Sequence, residues 1–394
     1  MARPKTRKEV RLRKKLRRYI QRGHPWVFDG GVEPDPSLKP GELVKVVDEQ
    51  GAFAVAFADP KSPIRLRVLD RHVNAEVDGG WLHYRAKRAA SRRQGDPRLT
   101  NTDALRLVHG EADGIPGLVV DVYAGHGIAL LDGEGAASLW APLADDLKRA
   151  LADAGYPVET LSMRRVGRER KWIGTPPPEA VRIREGEATM EVDLRRGQKT
   201  GLFLDQRENR RLVGERSAGL RVLNLFSYTG GFSLAAALGG ATKTTTVDIA
   251  APAVEAAKRN FKLSGLKPSE HEFVAADGFD FLSGAIEAGR DFDLVICDPP
   301  SFASSEKALK KGLRAYRRVN EQALRVVAPS GIFCSASCSS HVTSTHMLDV
   351  LADASADAGR DLVVSEERGA ASDHPVRPAF PEGRYLSFFL CNVE

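Results

Sequence analysis

Asp248, Asp277, Asp298 and Cys338 are the side chains whose types and settings could do chemistry together. Each is expected at the end of an apolar β-run, on the carboxyl edge where open α/β sheets bind ligands. Residues 222–226 read as the first such strand. Ser227-Tyr228-Thr229-Gly230-Gly231 follows it, and a helix opens near Phe232. Paired glycines let a chain turn sharply and let a ligand approach the backbone. The loop has no G-x-G-x-x-G and no Lys-Ser/Thr after its glycines, so it is neither a dinucleotide fingerprint nor a Walker loop. Asp248 closes the second strand and can accept two ribose hydroxyls. Asp277, near the end of the third, can accept an adenine amino group. Ribose and adenine contacts without a phosphate cradle indicate a nucleoside with an amino-acid tail, S-adenosylmethionine.

Across the expected pocket stands Asp298-Pro299-Pro300-Ser301-Phe302. Prolines fix φ and remove N–H donors, which leaves a rigid wall for a flat ring. In enzymes that methylate amines, an Asp or Asn with such prolines grips an exocyclic amine, so this motif alone fits base N-methylation equally well. Cys338, at the end of a strand that begins at Gly331, separates the two. Cytosine C5 is a poor nucleophile until a thiolate adds to C6, which is covalent catalysis. An exocyclic amine or a guanine ring nitrogen needs no thiolate. Asp298 and Cys338 are thus the candidate catalytic pair. Cys297, Cys334 and Cys391 read as core residues. A nearby ionised Asp298 would oppose thiolate formation. Candidate helpers are Lys310, Lys311, Arg314, Arg317 and Arg318 on the preceding helix, with His341 and His346 after the cysteine. The same basic helix reads equally well as a solvated or RNA-facing surface. A paired target base would have to be flipped out.

The elements that must position these groups are legible as a change of period. From residue 196 strand-like runs alternate with helical ones: 221–226 then 232–238, 244–248 then 251–263, 272–276 then 279–288, and 292–297 then 309–327. Strands follow at 331–337, 361–366 and 385–393. This is the pattern of a largely parallel, doubly wound sheet. Before it, β-rich runs at 43–47, 52–58 and 64–69 predict a small barrel-like module. A middle α+β region follows, with a hairpin at 118–131 and one amphipathic helix over 138–154. The expected division is 1–75, 76–195 and 196–394. The chain of 394 residues carries a net charge of +6, and its first 22 residues hold eleven Lys or Arg and one Glu. Arg11, Lys14, Lys15 and Arg18 in this run could hold phosphates without reading sequence; a solvated terminal helix is the plainer reading. A second basic run is Arg164, Arg165, Arg168, Arg170 and Lys171. No zinc-type Cys/His cluster is present and no metal is expected. The chain shows no secretory signal and no membrane-spanning apolar run, so a cytoplasmic setting is expected.

Several stretches together resemble the bacterial 23S ribosomal RNA cytosine-C5 methyltransferases of the RlmI type. They are Gly23-His24-Pro25-Trp26-Val27-Phe28, His109-Gly110-Glu111-Ala112-Asp113-Gly114-Ile115-Pro116-Gly117-Leu118, and Gly201-Leu202-Phe203-Leu204-Asp205-Gln206-Arg207. Asn224 to Gly231, Asp298-Pro299-Pro300, Ser337-Cys338-Ser339, Asp373-His374-Pro375 and Pro381-Glu382-Gly383-Arg384-Tyr385-Leu386 complete the set. The resemblance implies an N-terminal PUA domain, a middle α+β domain and a C-terminal Rossmann-like class I methyltransferase. It also implies S-adenosylmethionine as cofactor, large-subunit ribosomal RNA as partner, and a homodimer. Phe226, Tyr228, Thr229 and Gly230 resemble the methionine-side loop, with Asn224 and Ser227 in the same stretch. Asp248 and Asp277 resemble the ribose and adenine contacts, Asp298 the substrate-binding acid, and Cys338 the nucleophile. Asp205-Gln206-Arg207 resembles a strip that closes over the cofactor or base, with a domain-interface ion pair as the alternative. Ser227 stands where many relatives have Cys. Pro300-Ser301 lacks the second cysteine that other RNA cytosine-C5 methyltransferases place there, so proton removal from C5 has no assigned base. A base-nitrogen methyltransferase, a non-catalytic RNA-binding factor and a DNA substrate remain the alternatives.

Overall fold

The structure is a computed structural model that describes residues 7–165, 171–195, 200–303 and 305–394. Arg168 and Arg170 of the second basic run lie outside the described residues. Two compact units divide the chain. One is Met1–Val181 with Val192–Leu202 and Ser372–Gly383; the other is Arg182–Glu191 with Phe203–Ala371 and Arg384–Glu394.

In the first unit, strands β1 (Lys8–Arg11), β2 (Trp26–Phe28), β3 (Leu43–Asp48), β4 (Gly51–Ala58) and β5 (Ile64–Asp70) form a sheet of order β1-β3-β4-β5-β2. From Lys8 to Arg11 the basic start is therefore a strand, where a terminal helix was the plainer reading. Val10 and Leu12 are buried while Glu9, Arg11 and Arg13 are exposed, and that alternation suits a strand pairing in parallel with β3. Among the described residues of this start only Arg17–Gln21 is helical. Arg11, Lys14, Lys15 and Arg18 are all exposed. Arg17, by contrast, forks onto Asp48 at 2.8 and 2.5 Å.

A second sheet of order β10-β9-β8-β7-β6 follows, built from β6 (Ala104–His109), β7 (Leu118–Tyr123), β8 (His126–Leu131), β9 (Thr160–Arg165) and β10 (Lys171–Ile173). The helix expected over 138–154 is two helices, Gly133–Trp140 and Ala144–Asp153. A tighter turn, Ala141–Leu143, separates them; Pro142 within it lacks the N–H that a continuous helix would use. One apolar cluster joins Val55, Phe57 and Leu69 of the first sheet to Leu82, Leu118, Trp140 and Leu147, so both sheets share a core.

Motifs that stand apart in sequence interlock in this unit. Arg67 donates to Glu111 at 2.5 Å and to Asp132 at 2.6 Å, and Trp26 Nε1 donates to Glu111 at 2.7 Å. Arg93, 4% exposed, forks onto Asp113 at 2.9 and 2.7 Å and reaches the Asp373 carbonyl at 2.8 Å. Asp113 also accepts from Arg92 and from the His109 backbone N–H. Burial holds His109 well below the usual imidazole range, so its Nδ1 can accept from Arg106 at 3.1 Å. Removing one partner of a buried pair strands the other charge. Asp113→Ala is therefore expected to destabilise this unit by about 3–5 kcal/mol. The measurement is the denaturant midpoint of the full chain, and a shift worth less than about 1 kcal/mol would mean Arg93 relaxes into solvent.

In the second unit, β13 (Arg221–Leu225), β14 (Lys243–Asp248), β15 (Glu272–Ala275), β16 (Phe292–Cys297), β17 (Val327–Ser337), β18 (Leu362–Arg368) and β19 (Ser387–Val393) form one sheet. Its order is β15-β14-β13-β16-β17-β19-β18, with β19 antiparallel to both neighbours. Both faces are covered. Leu223, Leu225, Val295 and Cys297 pack against Tyr316 and Met347, whereas Val222, Leu294 and Ile296 pack against Leu212 and Phe232. Such two-sided burial is what a parallel sheet between helices requires. The strand order reverses between β13 and β16, which opens a crevice at their carboxyl ends. A hairpin of β11 (Val181–Glu185) and β12 (Ala188–Val192) precedes this sheet in the chain. Among the described residues no helix is long and apolar enough to cross a membrane. No group of three His, Cys, Asp or Glu among them could hold a metal ion.

Candidate active site

The loop after β13 is held in an unusual backbone shape. Phe226 and Tyr228 have φ of 54° and 49°, and Gly230 has φ of 77°. Non-glycine residues enter this region only when their surroundings enforce it. Here the enforcing contacts are specific. Tyr228 N–H donates to Asp248 Oδ2 at 2.7 Å, Ser227 N–H to the Val247 carbonyl at 3.0 Å, and Asn260 Nδ2 to the Thr229 carbonyl at 3.0 Å. Asn260 Oδ1 in turn accepts from Glu191 N–H of the hairpin. A Cβ on Gly230 would lie 2.7 Å from Ala257 Cβ, so this glycine answers the neighbouring helix Ala251–Leu263 as well as the turn.

Asp248 accepts from Tyr228 N–H on one oxygen and from Ala250 N–H on the other, at 2.9 Å. A carboxylate offers about four lone-pair directions, so a pair of hydroxyls can still be received. Asp277 caps the helix Gly278–Glu287, accepting from Phe279 and Asp280 N–H on Oδ1. Gly278 lets the Phe226 ring come close, since a Cβ there would sit 2.7 Å from it. The sequence reading missed Ile249, which is 73% exposed directly beside Asp248. A large apolar side chain held in the open at a strand end suits the face of a flat ring, and its position after the ribose acid was the available signal. It also missed Asn260, whose bond to Thr229 no local pattern announces. Asn224 differs from expectation. It is buried within β13 on the face under the helix Gly231–Leu238, and its Nδ2 donates to Ser233 Oγ at 2.9 Å. The Ser227 hydroxyl is buried with no partner among the described residues. A buried hydroxyl left so, an acid ready for hydroxyls and an exposed apolar side chain together fit a nucleoside with a polar tail.

On the substrate side, Asp298 follows β16, with Pro299 buried and Pro300 exposed. Gln206 Nε2 donates to Asp298 Oδ2 at 3.0 Å. The other two members of the expected strip have partners of their own. Asp205 is buried and accepts from Tyr385 Oη at 2.8 Å; Arg207 is buried 3.9 Å from Glu185, which also takes a fork from Arg210. These contacts hold the strip in place, and Gln206 addresses the candidate catalytic acid.

Cys338 is half-buried just beyond the end of β17, whereas Cys297, Cys334 and Cys391 are buried. Burial pushes those three thiols up, Cys391 to about 12, so they stay protonated and inert. The residues flanking Cys338 are clamped. Ser337 Oγ donates to Tyr316 Oη at 3.1 Å, Tyr316 Oη meets Ser339 Oγ at 3.0 Å, and Ser339 Oγ meets Ser301 Oγ at 2.6 Å. Burial raises the Tyr316 phenol above its usual range, so it keeps its proton and can serve as a link. This chain of hydroxyls joins the cysteine loop to the loop of Asp298. His346 closes a capping box with Thr343 at the start of the helix Ser344–Ala358. Arg317 pairs with Asp353 and Asp357, and Arg318 lies over the Phe279 ring. Lys310, Lys311 and Arg314 are exposed on the helix Leu309–Arg325.

The strand order, the crevice at β13 and β16 and the acids at the strand ends define a class I α/β methyltransferase. Family models agree: one for S-adenosylmethionine-dependent methyltransferases matches residues 155–368, and one for a PUA-like domain matches residues 10–71. The ribosomal RNA large subunit methyltransferase I of Klebsiella pneumoniae is 35% identical over 97% of each chain. A ribosomal RNA large subunit methyltransferase of Deinococcus radiodurans is 39% identical over 98% of this chain and 97% of its own. A solved S-adenosylmethionine-dependent methyltransferase from Streptococcus mutans has the same fold, with a TM-score of 0.85 at 21% identity, covering 98% of this chain and 100% of that one. A second solved methyltransferase, complexed with SAH, gives 0.85 at 22% identity over 98% and 99%. The chain belongs to the family of ribosomal RNA large subunit methyltransferases I.

Proposed function

We propose that the protein transfers the methyl group of S-adenosylmethionine to C5 of a cytosine in 23S ribosomal RNA, with Cys338 as nucleophile and Asp298 as the acid that grips the base. The single observation that carries this reading is Cys338 itself. Of the four cysteines it alone is not buried, and it follows the strand next to the one that Asp298 follows. The relatives' names and the PUA-like match support large-subunit RNA as the substrate. Bound S-adenosylmethionine supplies an electrophilic methyl on a sulfonium. Asp248 would receive its ribose hydroxyls, Asp277 its adenine amine, and Ile249 would pack on its ring. Pro299 and Pro300 wall the target base while Asp298 accepts from its exocyclic amine. Cys338 Sγ, as thiolate, adds to C6, and the C5=C6 electron pair moves to C5. C5 would then take the methyl that bound S-adenosylmethionine would supply, with the neutral thioether as leaving group. Loss of the C5 proton to a base then re-forms C5=C6 as the S–C6 bond breaks, which returns the thiolate.

The test is incubation with labelled S-adenosylmethionine and ribosomal RNA, naked and in subunits, followed by mapping of the modified nucleoside. Label in 5-methylcytosine is the expected result; label on a guanine nitrogen would move the protein to the base-nitrogen reading. The same preparation can be sized by sedimentation for the homodimer, and the cytoplasmic setting belongs to the same reading.

Arg11, Lys14, Lys15 and Arg18 hold RNA phosphates in this reading. Changing all four to alanine is expected to flatten the slope of log affinity against log salt by about 3–4. Turnover at saturating RNA should change little. An unaltered salt slope would take the basic start out of the RNA contact.

A further inference from the structure

A backbone carbonyl fixes the polarity of the buried amides beside Asp298. The Gly369 carbonyl can only accept, and the Asn209 amide atom 3.2 Å from it must therefore be nitrogen. That nitrogen lies 2.6 Å from the Gln206 amide, so the Gln206 atom facing it must be oxygen. Gln206 consequently turns its NH2 toward Asp298, with Nε2 3.0 Å from Oδ2. Asn209 is 1% exposed and Gln206 3%, so reversing either amide would set donor against donor or acceptor against acceptor out of reach of water. The order of donors runs one way, and it ends by requiring an acceptor at Asp298.

Addition of a thiolate to C6 does not by itself choose a pyrimidine, because uracil undergoes it as readily in principle. The bases differ at position 4, where cytosine donates through an amine and uracil accepts through a carbonyl. We propose that the Gly369–Asn209–Gln206 chain holds Asp298 as an acceptor, and that Gln206 is thereby the positioning residue that makes the site select cytosine against uracil. The inference rests on the proposed cytosine-C5 reading and names what sets its base preference. A site built to pair with an amine rejects a substrate lacking it by about 10⁴-fold or more, because the buried acceptor is left facing another acceptor.

The experiment measures kcat/KM for one RNA with cytidine or uridine at the mapped target, using wild type, Gln206→Glu and Asn209→Asp. Glutamate at 206 cannot donate to Asp298, and two facing carboxylates hold a proton between them, which gives the site a donor. The cytidine-to-uridine ratio is expected to fall about 10–100-fold in Gln206→Glu. Asn209→Asp should fall in the same direction, because it can no longer donate to both Gly369 and Gln206. Unchanged ratios in variants that still turn over would overturn the inference while leaving the cytosine-C5 reading intact. If neither variant folds, wild type decides with pyrimidin-2-one riboside at the target, which lacks the exocyclic amine. Turnover on that RNA equal to turnover on cytidine overturns the inference; a loss like that seen on uridine supports it. Wild type that methylates no cytosine in any RNA overturns the cytosine-C5 reading itself.

Discussion

Cys338→Ala is expected to remove methyl transfer to RNA by at least about 10⁴-fold in turnover, while S-adenosylmethionine affinity stays within about twofold. The size follows from the chemistry. Without the thiolate, C5 must attack as the weakly nucleophilic carbon of an aromatic ring, and loss of a covalent nucleophile costs about 10⁴–10⁶ in comparable cases. The affinity is spared because the cofactor residues lie at the carboxyl ends of β13, β14 and β15, and Cys338 follows β17. Ser337, Tyr316 and Ser339 should keep their hydrogen bonds in the variant, since none passes through the cysteine side chain. A target cytidine carrying fluorine at C5 gives an independent reading. Wild type should form a complex with such RNA that survives denaturing electrophoresis, because the fluorine cannot leave as a proton does; the alanine variant should form none. Full methyl transfer by Cys338→Ala would sink the cytosine-C5 assignment and return the base-nitrogen reading that Asp298-Pro299-Pro300 alone permits.

The parts of this site that were legible in the sequence are those encoded locally. The strands that end at Asp248, Ala275 and Cys297 were placed to within a residue by β-rich runs that stop at or just before an acid, and the helix Ala251–Leu263 follows from its period. What was not legible depends on pairing across the chain. Gln206 and Asp298 are 92 residues apart, and nothing in Asp205-Gln206-Arg207 says that all three are buried or that the middle one meets the acid. The resemblance implied a strip that closes over the cofactor or base, with an ion pair as the alternative. The burial of Asp205 and Arg207 against Tyr385 and Glu185 is affordable because each has a partner supplied from elsewhere in the chain. Asn224 misled for a related reason. An Asn in an apolar strand beside a ligand loop reads as a ligand contact, but strand alternation puts it on the face of Val222, under Ser233. The strand at Lys8–Arg11 was obscured by its charges: only Val10 and Leu12 report the alternation, and six lysines or arginines surround them.

At the other end of the site, Asp248→Ala is expected to weaken S-adenosylmethionine binding about 10²–10⁴-fold. Two charge-assisted hydrogen bonds to ribose, at about 1.5–3 kcal/mol each, account for that range. A second effect acts in the same direction. Asp248 is what holds Tyr228 N–H, and with it the φ of 49° that the loop needs, so the free variant should relax toward ordinary backbone geometry. Asparagine is not a mild replacement here. Both Asp248 oxygens accept backbone N–H groups, so the amide NH2 of Asp248→Asn must face one donor or the other whichever way it turns. Its loss should therefore approach that of alanine, which distinguishes this acid from one that merely supplies charge. Calorimetric titration with the cofactor measures both variants, and an affinity within threefold of wild type would remove Asp248 from the ribose contact. The kinetic signatures of the two ends of the site should be opposite. Cys338→Ala lowers kcat with little change in the KM for S-adenosylmethionine. Asp248→Ala raises that KM and regains part of kcat at saturation, because the hydrogen bonds it removes are made equally in the ground state and the transition state.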